Sequence, residues 1–245
     1  MVEAGPGTVL AAVGVYKRFG ALPVLDGVNL ALTRGEAVGI VGPNGAGKTT
    51  LLNVLAGSLR PDAGSVIFHD RDITAKDAAD RCKLGIARTH QVPRPFAGMT
   101  VFENVFVGAT AGGGLGGSAA YDVSLEVLDQ CALTHLANRR AEDLGLLQRK
   151  RLELARALAV GPAVLLLDEI GGGLTDAESA ALVETIGNLR DRGIAVLWIE
   201  HIVHVLMQVV TKLVCMDAGR IIAEGPPEAV VAQAAVIDAY LGTRA

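Results

Sequence analysis

From Val9 to Leu32 the chain reads as a half-buried ribbon, with apolar positions at Leu25, Val28, Leu30 and Leu32. Ala37–Val41 is different: it is apolar without interruption and stops at Gly42. Runs of the same kind recur at Val164–Leu167 and Ile194–Ile199, each coupled to a helical segment. Short continuous runs of this kind predict strands covered on both faces, as in a parallel sheet. Helix is predicted from Gly47 to Ala56, stopped by Gly57, and from a capping box at Thr175 and Glu178 up to Gly193. Between Thr100 and Ala159 the strand runs disappear, and Val101–Val107, Asp122–Ala137 and Gln148–Val160 read as helices. The glycine-rich Ala111–Gly117 between the first two predicts a flexible surface loop. Strands alternating with helices give an α/β fold with a mostly parallel, doubly wound sheet. The expected division is a single domain over 1–245, with 8–99 and 160–245 forming the core and its β portion. An inserted helical subdomain takes 100–159.

Composition narrows the class. The 245 residues are 51% hydrophobic with mean hydropathy +0.41, yet no window reaches the about 18 uninterrupted apolar residues of a spanning helix. The excess reads as core plus a surface for partners. Met1–Thr8 carries Glu3, Gly5 and Pro6 without a basic start, so no signal peptide is expected. Three scattered cysteines, Cys82, Cys131 and Cys215, fit a reducing cytosol better than a disulfide framework. A net charge of −4, with no basic cluster longer than Arg149-Lys150-Arg151, argues against nucleic acid as a partner.

Three motifs carry chemistry. Gly42-Pro43-Asn44-Gly45-Ala46-Gly47-Lys48-Thr49 fits G-x-x-x-x-G-K-[ST] and stands between a buried strand and a helix, where a P-loop must stand. Its amides and the helix start would cradle phosphate, with Lys48 on the β/γ-phosphates and the Thr49 hydroxyl, beside Thr50, on Mg²⁺. Val164–Leu167 ends in Asp168-Glu169, the position at which P-loop proteins place an acidic pair. Asp168 would hold Mg²⁺ through water, and Glu169 could polarise the attacking water. His201 follows Ile194–Ile199 and Glu200; a lone histidine at a strand end is most often structural or solvated.

With these motifs in place the sequence resembles the ABC-type ATPases over nearly its whole length. The resemblance implies a P-loop NTPase core with a mostly parallel sheet, an N-terminal antiparallel β portion and an inserted helical subdomain. It places the adenine-stacking aromatic in Lys17-Arg18-Phe19-Gly20, hence Phe19, with Tyr16 the lesser candidate. It places a Mg²⁺-touching glutamine at the end of Gly85–Gln91, hence Gln91, and a switch histidine at His201. Gly173-Leu174-Thr175-Asp176 matches a loop that meets a second ATPase. More narrowly, Gly85–Gln91, Pro95–Val105 and the tail Val236–Gly242 resemble the larger ATPase of the branched-chain (hydrophobic) amino acid uptake family.

That resemblance implies an ATP-binding and ATP-hydrolysing subunit that energises an importer for branched-chain amino acids or similar small polar solutes. It would use ATP and Mg²⁺ at the cytoplasmic face of the membrane. Its partners would be a second ABC ATPase, two membrane permeases and, indirectly, an extracytoplasmic solute-binding protein. Two departures stand out. Ile170 replaces the family's proline after the glutamate, and Leu144-Gly145-Leu146-Leu147-Gln148 stands where the signature L-S-G-G-Q belongs. The lost serine and glycines make a heterodimer with an intact partner the expectation. They also leave open a weakly hydrolysing, regulatory nucleotide-binding subunit. A small-molecule kinase and a soluble ABC protein of ribosomes or DNA fit less well.

Overall fold

The computed structural model describes residues 7–241; the readings at Met1–Pro6 and Gly242 lie outside them. In chain order the elements are β1 (Thr8–Phe19), β2 (Leu22–Thr33), β3 (Ala37–Val41), α1 (Lys48–Ala56), β4 (Ala63–Phe68), β5 (Arg71–Asp72), α2 (Ala78–Lys83) and β6 (Ile86–Arg88). Next come α3 (Val101–Val107), α4 (Gly117–Gln130), α5 (Leu146–Leu158), β7 (Val164–Asp168) and α6 (Asp176–Asp191). The chain continues with β8 (Ala195–Ile199), α7 (Val203–Leu206), β9 (Lys212–Asp217), β10 (Arg220–Gly225), α8 (Pro227–Val231) and α9 (Ala234–Leu241).

Two sheets form. One is antiparallel with strand order β2-β1-β4-β5; the other has order β10-β9-β3-β8-β7-β6 and is parallel except for β10. The α/β class and the mixed sheets match the sequence expectation. The strands β3, β7 and β8 are buried at every position, which is why they read as continuous apolar runs. Their side chains alternate between two cores. Val38, Ile40, Val164, Leu166, Leu197 and Ile199 join the antiparallel sheet and α1, whereas Val41, Leu165, Leu167, Val196 and Trp198 face α3–α6.

Helix boundaries follow local chemistry. Thr100 with Glu103 and Thr175 with Glu178 form complete capping boxes at the starts of α3 and α6. The loop predicted over Ala111–Gly117 is found only at 113–116. A π-helical turn covers Gly108–Gly112, and α4 already begins at Gly117. A Cβ on Gly108 would lie 2.6 Å from the Arg156 carbonyl oxygen, so its glycine serves close packing against α5. The helix predicted over Asp122–Ala137 ends at Gln130 and is followed by a separate 3₁₀ turn at Thr134–Leu136.

In a parallel sheet the strand ends point one way, so the loops after β3, β6, β7 and β8 gather along one edge. That edge carries Gly42–Gly47, Thr89–Gln91, Glu169 and Glu200–His201.

Candidate functional site

Gly42 leaves β3 at φ +142°, and a Cβ there would stand 2.0 Å from the Met216 carbonyl oxygen, so only glycine fits. The loop then turns into α1, whose start at Gly47 has no side-chain cap. Its first-turn amides therefore remain available to an external acceptor. Asn44 through Thr50 line a cleft of about 180 Å³ with Val24, Glu169 and His201. Lys48 is buried and its Nζ donates to the Gly42 and Pro43 carbonyls at 2.7 and 2.9 Å. Burial draws its pKa down and the Glu169 charge opposes this, which suits an ammonium held ready for an anion.

Across the cleft, Glu169 has φ +48°, an uncommon conformation for a non-glycine residue. Its two carboxylate oxygens have separate partners. Oε1 accepts from His201 Nε2 at 2.7 Å, and Oε2 accepts from the Gln91 amide nitrogen. The structure thus brings together three residues, Gln91 lying 78 positions and His201 32 positions from Glu169 in sequence. An ionised carboxylate only accepts, so the proton in the first contact sits on Nε2 of His201.

Asp168 is buried behind this group. Its Oδ2 accepts from Arg88 at 3.2 Å, and its Oδ1 has no partner. Desolvation raises its pKa, opposed by Arg88. A buried carboxylate oxygen without a donor fits a cation carried in with a phosphate ligand. Among the described residues no cluster of three or more His, Cys, Asp or Glu side chains could hold a metal alone. The partnerless Asp168 oxygen suits a hard cation such as Mg²⁺ shared with a phosphate ligand, with Thr49, Gln91 and Asp168 as the candidate protein ligands. The Gln91 contact to Glu169 uses its amide nitrogen rather than the oxygen a metal requires.

Phe19 is 52% exposed at the end of β1, with Lys17 Nζ 5.8 Å from its ring, and does not line the cleft. Tyr16 packs over Gly27 instead. Four further residues belong to the site without being marked by any motif role. Arg88 joins Asp168 to Asn53 of α1; Tyr240 accepts from the Gly42 amide at 2.9 Å; Lys150 and Glu200 are buried beside the cleft. Arg88 lies within Gly85–Gln91 and Glu200 directly precedes His201, but Asn53 and Asp168 against Arg88, and Gly171 against Glu200, are distant in sequence. Lys150 belongs to the short run Arg149-Lys150-Arg151, whose composition signals only a small basic cluster.

The tip of α5 is made differently. Gly145 is its N-cap, with no side chain to bond the first turn, and the Gln148 side chain folds back to accept the Gly145 amide at 3.1 Å. Leu146 is 48% exposed and Leu147 half-buried.

A second, larger groove of about 480 Å³ lies between α2, β6 and the π-helical turn with α5, lined by Cys82, Arg88, Arg94, Glu153 and Arg156 among others. Beside it Val92, Phe96 and Met99 are exposed, and Arg156 stacks over Phe96 at 4.5 Å. Phe102 is half-buried and packs against Phe106 and Tyr121.

Similarity to known proteins gives the family. A family model described as ABC transporter matches residues 25–171, and one described as branched-chain amino acid ATP-binding cassette transporter matches 220–245. The probable branched-chain amino acid transport ATP-binding protein LivG of Methanocaldococcus jannaschii is 33% identical over 250 residues, covering 96% of this chain and 97% of its own length. The solved ADP conformation of an ATP-binding cassette of an ABC transporter matches at TM-score 0.86 and 32% identity, covering 96% of this chain and 99% of that one. A dimeric post-hydrolysis cassette bound to ADP and Pi matches at TM-score 0.80 and 25% identity, covering 89% and 98%. A P-loop edge of this build, matched along almost the whole chain, makes the protein a member of the ATP-binding family of ABC transporters.

Proposed function

We propose that this chain powers uptake of branched-chain amino acids or similar small polar solutes, hydrolysing ATP at the edge where the Gly42–Lys48 loop faces Glu169. The observation that carries the reading is the clamp on Glu169. His201 and Gln91 hold its two oxygens from opposite sides, at the mouth of a cleft lined by P-loop residues. ATP enters with its phosphates over the amides of Gly45–Thr49, and Lys48 turns from the loop carbonyls toward the β/γ-phosphates. Each Glu169 oxygen keeps a further acceptor site, so the carboxylate can take a proton from water attacking the γ-phosphorus. His201 fixes the carboxylate's orientation, and Phe19 stacks on the base. Thr49, Asp168 and the amide oxygen of Gln91 would hold Mg²⁺, which would supply charge neutralisation at the phosphates.

Proteins of this family form dimers and work with membrane permease subunits. For this chain the partner is a second, different ATPase, because the Leu144–Gln148 tip lacks the serine and glycines that let backbone approach phosphate. The helices within 100–159 act as a subdomain that docks a cytoplasmic permease surface, with the exposed Phe96 rather than Phe102 in contact. A solute-binding protein outside the membrane delivers the solute. Docked on the permeases in this way, the chain works at the cytoplasmic face of the membrane; among the described residues no helix is long and apolar enough to cross it. Full-length relatedness to a transport ATP-binding protein supports the energising role over the weakly hydrolysing, regulatory one.

Glu169→Gln tests the site. Turnover is expected to fall about 10²-fold or more while ATP binding persists, since Lys48 and Asp168 are untouched. A variant with near-normal turnover rejects the assignment.

A further inference from the structure

We propose that Lys150 and Glu200 are positioning residues for hydrolysis: they grip the main chain just beyond Glu169 and tie α5 to the Glu169–His201 pair. This rests on the roles proposed for Glu169 and His201 in hydrolysis. Lys150 lies in α5, 5% exposed, and its Nζ donates to the Ile170 carbonyl at 2.8 Å and to the Gly172 carbonyl. Glu200 is 2% exposed at the end of β8. Its Oε2 accepts from the Gly171 amide at 2.9 Å and its Oε1 from the His201 amide at 3.0 Å. The peptide group between Ile170 and Gly171 is thus held at both ends, its carbonyl by Lys150 and its amide by Glu200. Lys150 also holds the Gly172 carbonyl two residues further on.

Two charged side chains buried this deeply would each be costly without such partners. Burial draws the Lys150 pKa down, and the negative charges of Glu200 and Glu169 oppose it, which places both carboxylates within electrostatic reach. The turn they grip carries a residue that needs holding. A left-handed backbone at Glu169 is strained for a residue with a Cβ and persists only where the surroundings enforce it. The Glu169 amide donates to the Ile199 carbonyl at 2.9 Å, but that bond fixes only the near side of the turn. Lys150 and Glu200 fix the far side.

The Glu200 carboxylate also bridges the Glu169 turn to the backbone of His201, so the two ends of the 2.7 Å Glu169–His201 contact share one bolt. Leu146, at the tip of the same helix as Lys150, reaches within 3.2 Å of where a Cβ on Gly173 would stand. A shift of α5 is therefore delivered to the turn that aims Glu169. Neither Lys150 nor Glu200 lines the nucleotide cleft, so their contribution falls on the chemical step rather than on binding.

The test compares Lys150→Met, Glu200→Gln and Glu169→Gln in the full chain, purified with its co-assembling ATPase and membrane subunits. Gln is close to isosteric with Glu but has one acceptor oxygen, so it serves only one of the two amides. Turnover numbers, KM for ATP, ADP affinity and amide exchange at Gly171 are measured. For Lys150→Met and Glu200→Gln, kcat is expected to drop about 10- to 100-fold with KM and ADP affinity within about 2-fold of wild type. Exchange at Gly171 should rise in Glu200→Gln. Unchanged kcat in both variants, with Glu169→Gln inactive, overturns the brace and spares the site. Turnover surviving in Glu169→Gln overturns both, because nothing would remain to be positioned. If Lys150→Met fails to fold, Glu200→Gln alone decides, and parallel losses in kcat and ADP affinity there would overturn the brace by reducing its role to general stability.

Discussion

The helices α1 and α5 both start from a glycine without a side-chain cap, unlike α3 and α6, which Thr100 and Thr175 close. An uncapped first turn leaves amides for an external anion. The residues after the two glycines differ in kind. After Gly47 come Lys48, Thr49 and Thr50, all lining the cleft. After Gly145 come Leu146 and Leu147, while Gln148 turns back onto the Gly145 amide. On the proposed reading an open helix start is not sufficient for phosphate: the first turn must also be polar and let the backbone be approached. On that reading one face of this chain meets both conditions and the other neither, and a homodimer would set the Leu146–Leu147 tip over each complete P-loop.

The largest effect that could break this contrast is at Lys48. Lys48→Ala is expected to abolish turnover and weaken ATP binding about 10- to 100-fold, the worth of a lost charge-assisted bond. Titration of a fluorescent nucleotide analogue checks it, and equal affinities would show that the P-loop does not hold the phosphates. Next comes Glu169→Gln, with its turnover loss of about 10²-fold. Made in this chain it should silence the assembled complex, whereas the matching change in the partner ATPase should cost less. Equal losses would erase the contrast. A smaller effect is expected at Phe19. Phe19→Ala should raise KM for ATP roughly 5-fold, about 1 kcal/mol of base stacking, with kcat kept. An unchanged KM would move adenine recognition elsewhere. Smallest in energy is the docking surface. A cysteine at Phe96 should cross-link to cytoplasmic permease loops, and one at Phe102 should not, because Phe102 packs against Phe106 and Tyr121.

The sheet and the phosphate loop were legible because each is written locally. Ala37–Val41 is buried throughout and announces its strand, and the spacing of Gly42, Gly47 and Lys48 places the loop after it. The clamp was legible only in part. The acidic end of a strand pointed to Glu169 and the resemblance to Gln91 and His201, but their convergence on one carboxylate depends on the order of β6, β7 and β8 in the sheet. Lys150, Glu200, Arg88 and Tyr240 were silent because they bond main chain or side chains far away in sequence, which no spacing encodes. The loop predicted over Ala111–Gly117 holds only at 113–116, for a related reason. Composition reports backbone freedom, whereas Gly112 is used for close packing, a Cβ there lying 2.7 Å from the Val160 side chain.

The contrast between the two helix starts is tested most directly by repairing the poorer one. Gly145→Ser, Leu146→Gly and Leu147→Gly together restore the consensus signature and supply a hydroxyl N-cap to α5. ATP hydrolysis by the purified chain alone, without partner subunits, is measured before and after the repair. Weak hydrolysis is expected of the unaltered chain, with a gain of about 10-fold or more on repair, within the worth of one set of phosphate contacts. Robust hydrolysis by the unaltered chain alone, unchanged by the repair, would mean that the Leu146–Leu147 tip is no handicap and that the two helix starts serve phosphate equally.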